Sequence, residues 1–184
     1  MNLEVLMNMY ANDPRIFSIA DRIVMPAPII SGSKPQHIHL SGLNGSSSQF
    51  VVSAVFNHSI ASQLNHLVIL RDAEEAAYFH NTIENIKKAL DVFYFPSSFK
   101  NNKNYTLLNS SHVMLRTEAL TKLSTGGNRK IIVTYPEAIF EKVVLSKTLK
   151  ENIISFTKGE ALDVDSLLSL FVDHGFTRVV FGFD

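Results

Sequence analysis

The chain has 184 residues, enough for one domain or one domain plus part of another. Its 46% hydrophobic content excludes a disordered chain, and its balance of 17 basic against 17 acidic residues excludes a global pull towards nucleic acid or membrane. With no cysteine it can have neither disulfides, thiol catalysis nor Cys-ligated metal centres.

The N-terminal segment places Leu3, Leu6, Met7 and Tyr10 on one helical face. It has an early acidic residue and no basic stretch, so it does not read as a signal peptide. No run approaches the roughly 18–20 apolar residues of a membrane helix. These features, with the missing cysteines, predict a cytoplasmic protein with no membrane partner. Asp13 predicts an N-cap with Pro14 at the first helical position, and Ile16, Ile19, Ala20 and Ile23 form the stripe of a second helix. The Pro-, Gly- and Ser-rich segment 26–35 reads as a linker. Residues 1–35 are therefore expected to be a helical arm and linker.

Beyond the linker, strand and helix signals alternate. Residues 37–41 (HIHLS) predict a short strand, 42–48 a Gly/Ser turn, and about 48–62 an apolar helix. Residues 66–71 (HLVILR) predict a buried strand. Asp72 then opens a helix carrying Ala76, Phe79, Ile83, Ile86 and Leu90 at helical spacing. Strands follow at 92–95 and 130–134, separated by a polar segment and a helix near 111–124 with Leu115, Ala119 and Leu123. The short helix PEAIFEK comes after the last of them. Alternating strands and helices imply a parallel α/β sheet covered on both faces over residues 36–145. Residues 146–184 differ in texture. They hold a possible strand at 153–156, a helix capped by Asp163, and a strand at 177–183, and are expected to be the truncated start of a small α+β second domain.

The turn Gly42-Leu43-Asn44-Gly45-Ser46-Ser47-Ser48-Gln49 stands where a phosphate loop would stand. Against GxxxxGK[ST], the second glycine falls on Ser47, the lysine on Ser48 and the Mg²⁺-binding hydroxyl on Gln49. The groups that neutralise phosphate charge and hold magnesium are therefore replaced. The favoured reading is a strand-to-helix turn that has lost the chemistry, against that of an ATP site. The serines lack the trailing glycine of a G-x-S-x-G elbow. His37 and His39 alternate on the predicted strand but have no third ligand in sequence, while His58, His66, His80, His112 and His174 are scattered. Asp72, Glu74 and Glu75 read as an acidic first helical turn rather than a paired-carboxylate site. Lys100 and Lys103, interleaved with Phe99 and Tyr105, read as a solvated linker before a single-strand-binding loop.

The ordered series HIHLSGLNGSSSQFVVSAVF, LVILRDAEEAAYFHNTI, VFYFPSSF, LRTEALTKL, IIVTYPEAIFEKV and GFTRVVF resembles the N-terminal part of bacterial transcription-repair coupling factors (Mfd), whose opening module is similar to the excision-repair subunit UvrB. The likeness extends from about His37 onward. It implies a P-loop-helicase-like fold (UvrB domain 1a) for residues 36–145 and the first part of the UvrA-docking domain for 146–184. It further implies a decayed phosphate loop at Gly42, Asn44, Gly45, Ser46, Ser47 and Ser48. Only residues 97–110 stand where UvrB carries its DNA-clamping hairpin, as in the coupling factors. Arg116 matches an arginine shared by both families and is expected to be structural, pairing with a carboxylate or carbonyl.

The family protein is an ATP-driven double-stranded DNA translocase that displaces stalled RNA polymerase and recruits UvrA. The resemblance places ATP, magnesium, DNA and polymerase at later domains. It implies no cofactor, no metal and no catalysis for this segment. UvrA docking in the family uses an arginine near the GFTRVVF strand. Thr177 stands in that slot here and Arg178 is offset by one. The competing expectations are a P-loop NTPase or helicase-like domain with an atypical loop, and a stand-alone nucleic-acid-binding module.

Overall fold

A computed structural model of the chain describes residues 2–24, 37–61, 63–86, 91–99, 108–127, 129–151, 154 and 156–177. The chain divides into two compact units, residues 1–151 and 152–184. Of the predicted strand at 153–156 only residues 154 and 156 are described, neither in a strand, and of that at 177–183 only Thr177; Leu90, Lys100, Lys103 and Tyr105 lie outside the described residues.

In the first unit, helices α1 (Leu3–Ala11) and α2 (Pro14–Val24) precede α3 (Ser47–Asn57). The Asp13 carboxylate accepts the Arg15 amide at 2.8 Å, which satisfies a free donor of the first turn of α2. Ile16 packs with Val51, Ala54 and Val55 of α3, with Tyr10 and Ile19 at the margin of the cluster. Tyr10 also stacks on Phe50, centroids 5.2 Å apart. On its other side α3 sends Phe56 into the main core. Buried on both sides, α3 carries little polar surface, which explains its nearly continuous apolar sequence. It ends at Asn57, earlier than predicted. There the Asn57 side chain donates to the Ser53 carbonyl at 2.7 Å, a local bond that competes with helix continuation.

The sheet consists of β1 (His66–Ile69), β2 (Val92–Tyr94) and β3 (Ile131–Thr134), all parallel, in the order β1-β3-β2. Helix α4 (Ala73–Ile86) connects β1 to β2, and α5 (Ser110–Ser124) connects β2 to β3. The expected parallel sheet flanked by helices is therefore present. Ala76, Phe79 and Ile83 of α4 pack with Val92, Ile131 and Val133, and Tyr94 donates its hydroxyl to the Ala73 carbonyl at 3.2 Å. One residue along β2, Phe95 faces α5, where Arg116 lies 4.0 Å over its ring. The two helices thus cover opposite faces. All of β3 is buried, as a central parallel strand should be.

Two expectations are corrected. Residues 37–41 form no strand and run as irregular chain up to the turn at Gly45. Their aliphatics, Ile38 and Leu40, line a groove against α1 and α2 instead of joining the sheet. Strand β1 is not buried throughout: Leu67 is 61% exposed and Ile69 54% exposed, while Val68 and Leu70 pack on the core. Helix α5 lies over the β2 side of that face, so among the described residues no helix covers Leu67 and Ile69.

After β3, Pro136 opens α6 (Pro136–Phe140) at its first position, and α7 (Ser146–Glu151) follows. The second unit contains α8 (Val164–Asp173). The Asp163 carboxylate accepts the Ser166 amide at 3.1 Å, the predicted cap. None of the described residues of this unit is buried.

Candidate functional site

The segment expected to be a decayed phosphate loop forms a turn at Gly45–Ser46 that enters α3 at Ser47. Gly42 and Gly45 adopt φ +77° and +56°, the left-handed region that favours glycine. A Cβ at either position would meet open space, so these glycines serve the turn rather than a close approach by another group. Ser46 makes no side-chain cap bond, and the Ser48 hydroxyl is spent on the neighbouring Gln49 side chain at 2.8 Å. The Ser47 hydroxyl oxygen is buried without a partner. Beside the loop runs a groove of about 820 Å³ between α1, α2 and residues 38–43, with Leu6, Ile19, Arg22, His39 and Ser47 among its walls. The loop thus keeps the position and shape of a helix-entry turn. No cationic side chain stands at position 48, where a phosphate loop needs it.

His37 and His39 are exposed and share no strand face, since no strand forms there. Among the described residues no group of three or more His, Asp or Glu side chains could hold a metal ion. Asp72 and Glu75 form a reciprocal helix cap: the Asp72 carboxylate accepts the Glu75 amide at 2.9 Å, and the Glu75 carboxylate accepts the Arg71 amide at 3.1 Å. The Glu75 amide bond and the Arg71 side chain hold the Asp72 carboxyl below its ordinary value. The acidic turn is thus a cap in geometry.

The densest polar cluster lies at the carboxyl ends of β2 and β3. Arg116 reaches in from α5, 5% exposed, and donates to the carbonyls of Pro96 and Ala138 at 2.9 Å and of Glu141 at 3.0 Å. Its Nε lies 3.5 Å from the Glu141 carboxylate. The other oxygen of that carboxylate accepts the Ser98 amide at 2.8 Å and the Ser97 hydroxyl at 3.0 Å. The Tyr135 hydroxyl accepts the Ser97 amide at 2.8 Å, and His112 Nδ1 lies 2.9 Å from the Ser97 carbonyl. A carbonyl only accepts, so His112 carries its proton on Nδ1.

Burial lowers the Arg116 pKa by more than the Glu141 charge raises it. Burial also pushes the Glu141 carboxyl up, but its bonds from Ser98 and Ser97 and the Arg116 charge outweigh this and leave it below the ordinary value. The two shifts therefore do not mirror each other. The geometry, a guanidinium sharing its donors among three carbonyls, accounts for the difference, and both groups remain ionised at neutral pH. Burial raises the Tyr135 phenol.

This cluster can fasten two strand ends to a helix: the Ser97 hydroxyl donates to Glu141, and His112 meets the Ser97 carbonyl. The expected pairing of Arg116 with a carboxylate or carbonyl is present, with both kinds of partner. Sequence reasoning passed over Ser97, Ser98, Tyr135 and Glu141. The two prolines that stop β2 and start α6, Pro96 and Pro136, were the available signal, since they mark the strand ends the cluster joins.

In the second unit, Thr177 is exposed and borders a hollow of about 270 Å³ with Leu168, Phe171, Val172 and Phe176. Arg178 lies outside the described residues.

The chain is 29% identical over 102 residues to a transcription-repair-coupling factor of Rickettsia typhi (strain ATCC VR-144 / Wilmington). The aligned stretch is 55% of this chain and 9% of the relative. The chain thus spans under a tenth of the relative's length. No protein-family profile matches, and no solved structure matches significantly. Among the described residues no helix is long and apolar enough to cross a membrane.

Proposed function

We propose that this chain is a non-catalytic, UvrB-like N-terminal module of a cytoplasmic transcription-repair coupling factor, on a P-loop-helicase-like layer that has given up nucleotide chemistry. The observation that carries the reading is the relationship to the Rickettsia typhi coupling factor. The loop supports it: Ser48 stands in the lysine position, and its hydroxyl is bonded to Gln49 rather than free for a ligand. In this reading the first unit is a scaffold and the second, with Thr177 and Arg178, is part of a docking surface for UvrA. ATP, magnesium, duplex DNA and RNA polymerase belong to other domains of the intact protein.

Calorimetric titration of the chain with ATP and magnesium tests this directly. No binding is expected in the micromolar range, and Mg²⁺-dependent micromolar affinity would overturn the scaffold reading in favour of an NTPase. Ser48→Lys alone is expected to produce no ATP turnover, because Gln49 still occupies the magnesium-ligand position. Hydrolysis by that variant above the parent's background would contradict the reading. A salt-dependent shift of DNA or RNA at physiological ionic strength would favour a nucleic-acid-binding module instead.

A further inference from the structure

Asn44 is the one asparagine of the sequence that is followed by glycine. Both residues are exposed, at the turn that enters α3. Gly45 sits at φ +56°, and a Cβ built on it would meet nothing within 4 Å, so no side chain screens its amide nitrogen. Among the described residues, neither the Asn44 carboxamide nor the Gly45 amide has a hydrogen-bond partner. The turn is held by a different bond, from the Ser47 amide to the Asn44 carbonyl at 3.2 Å.

The other described asparagines are tied down. Asn2 and Asn109 cap α1 and α5, their carboxamide oxygens accepting the Glu4 and Ser111 amides at 3.3 and 3.2 Å. Asn12 and Asn57 donate their carboxamides to the Asn8 and Ser53 carbonyls, and the amides that follow them, those of Asp13 and His58, are bonded to the Tyr10 and Val55 carbonyls. Asn65 accepts the Lys130 amide, and the His66 amide donates to the Lys130 carbonyl. Asn8, Asn81 and Asn85 stand inside α1 and α4, where the following amide belongs to the helix.

We propose that Asn44 is a site of spontaneous deamidation, which sets a carboxylate at the entry to α3. The Gly45 amide nitrogen gives its proton to solvent base and attacks Asn44 Cγ. The new N–Cγ bond closes a five-membered succinimide, and the Cγ–Nδ2 bond breaks to release ammonia. Water then opens the ring. Addition at Cγ gives aspartate, and addition at the backbone carbonyl carbon gives isoaspartate, whose chain is one carbon longer. Nothing is oxidised or reduced: one water is consumed and one ammonia leaves.

The consequences fall on α3, which has no acidic residue in its first turn and no side-chain cap from Ser46. An aspartate carboxylate near the positive end of the helix dipole is favourable. Isoaspartate carries the same charge but adds a backbone atom inside the turn that Ser47 closes. Either product opposes the binding of an anion at this helix entry. Either also takes the formal net charge from zero to minus one, because a neutral carboxamide becomes a carboxylate.

The test incubates the whole 184-residue chain at about pH 8 and 37 °C, beside a peptide of residues 42–48. The expected product is an acidic species about 1 Da heavier than the parent, resolved by anion exchange and located at Asn44 by peptide mapping. Its rate should lie within about tenfold of the peptide's, because no packed structure has to open before the attack. Asn44→Gln should abolish the species with an unchanged far-UV circular dichroism spectrum, since glutamine must close a less favourable six-membered ring. Faster conversion at another asparagine, conversion at Asn44 more than about tenfold slower than in the peptide, or an equal acidic fraction from Asn44→Gln would each overturn the proposal.

Discussion

Arg116 illustrates how one side chain can organise three segments that are distant in sequence. Its guanidinium satisfies carbonyls at the end of β2, within α6 and just beyond α6, and the Phe95 ring covers its face. Removing it would take a donor from three carbonyls and the counter-charge from the Glu141 carboxylate in a largely buried site. Arg116→Met is expected to lower unfolding free energy by roughly 3–5 kcal/mol. Lysine should not rescue it, since one ammonium cannot reproduce the planar fork. Urea denaturation measures both, and a loss below about 1 kcal/mol for either variant would contradict this role.

His66 makes a second prediction at the residue scale. Its Nε2 is buried without a partner, its ring meets Phe56 edge-on at 5.1 Å, and burial followed by the Arg129 charge lowers its pKa. The folded chain therefore resists protonation, while the unfolded imidazole accepts a proton at its ordinary value near 6.5. Stability from this group is complete above that value and falls as pH drops below it, towards the folded pKa. His66→Phe should flatten the stability–pH curve between pH 7 and 5. A parent and variant with parallel curves in that window would refute it.

At the scale of elements, α3 is the piece whose packing departs most from its sequence pattern. Ser53 and Gln49 are buried in it alongside Val51, Val55 and Phe56, because α1 and α2 cover one side and the sheet core the other. The Ser53 hydroxyl is wholly buried and finds no acceptor, a cost of about 1–3 kcal/mol that the surrounding packing offsets. Ser53→Ala should therefore leave stability unchanged or raise it by up to about 1 kcal/mol. Thermal unfolding followed by circular dichroism decides, and a drop of more than about 1 kcal/mol would show that the hydroxyl has a partner in solution.

Helix caps were legible in the sequence because they are local: Asp13, Asp72, Pro136 and Asp163 stand within a few residues of the amides they serve or the helix they begin. The strand at 37–41 was misread because alternation in five residues fits an edge strand and an irregular segment equally well. Which of them forms depends on whether Ile38 and Leu40 find the sheet or the α1–α2 groove.

On the scale of the molecule, the two units differ in kind. The first buries residues from α2 through α6 around a three-stranded sheet. In the second, α8 has Leu167, Leu168 and Leu170 only partly covered, and Phe176 is 65% exposed. Amide exchange should therefore separate them. The β3 amides should exchange slowest, and those of α8 at rates within about a hundredfold of an unfolded peptide. Comparable protection of the two would show that the second unit has a core of its own in solution.

The sequence by itself determined the alternation of strands and helices, the parallel sheet, the capped helix starts and the presence of serine rather than lysine at position 48. Each of these is written in neighbouring residues or in residue identity. Tertiary structure alone decided that β1 exposes the aliphatics Leu67 and Ile69, that 37–41 stays out of the sheet, and that Ser97, Tyr135, Glu141 and Arg116 meet. Strand order and face coverage follow from which elements pack together. Residues 44 positions apart, such as Ser97 and Glu141, become partners only once α5 and α6 have closed over the strand ends.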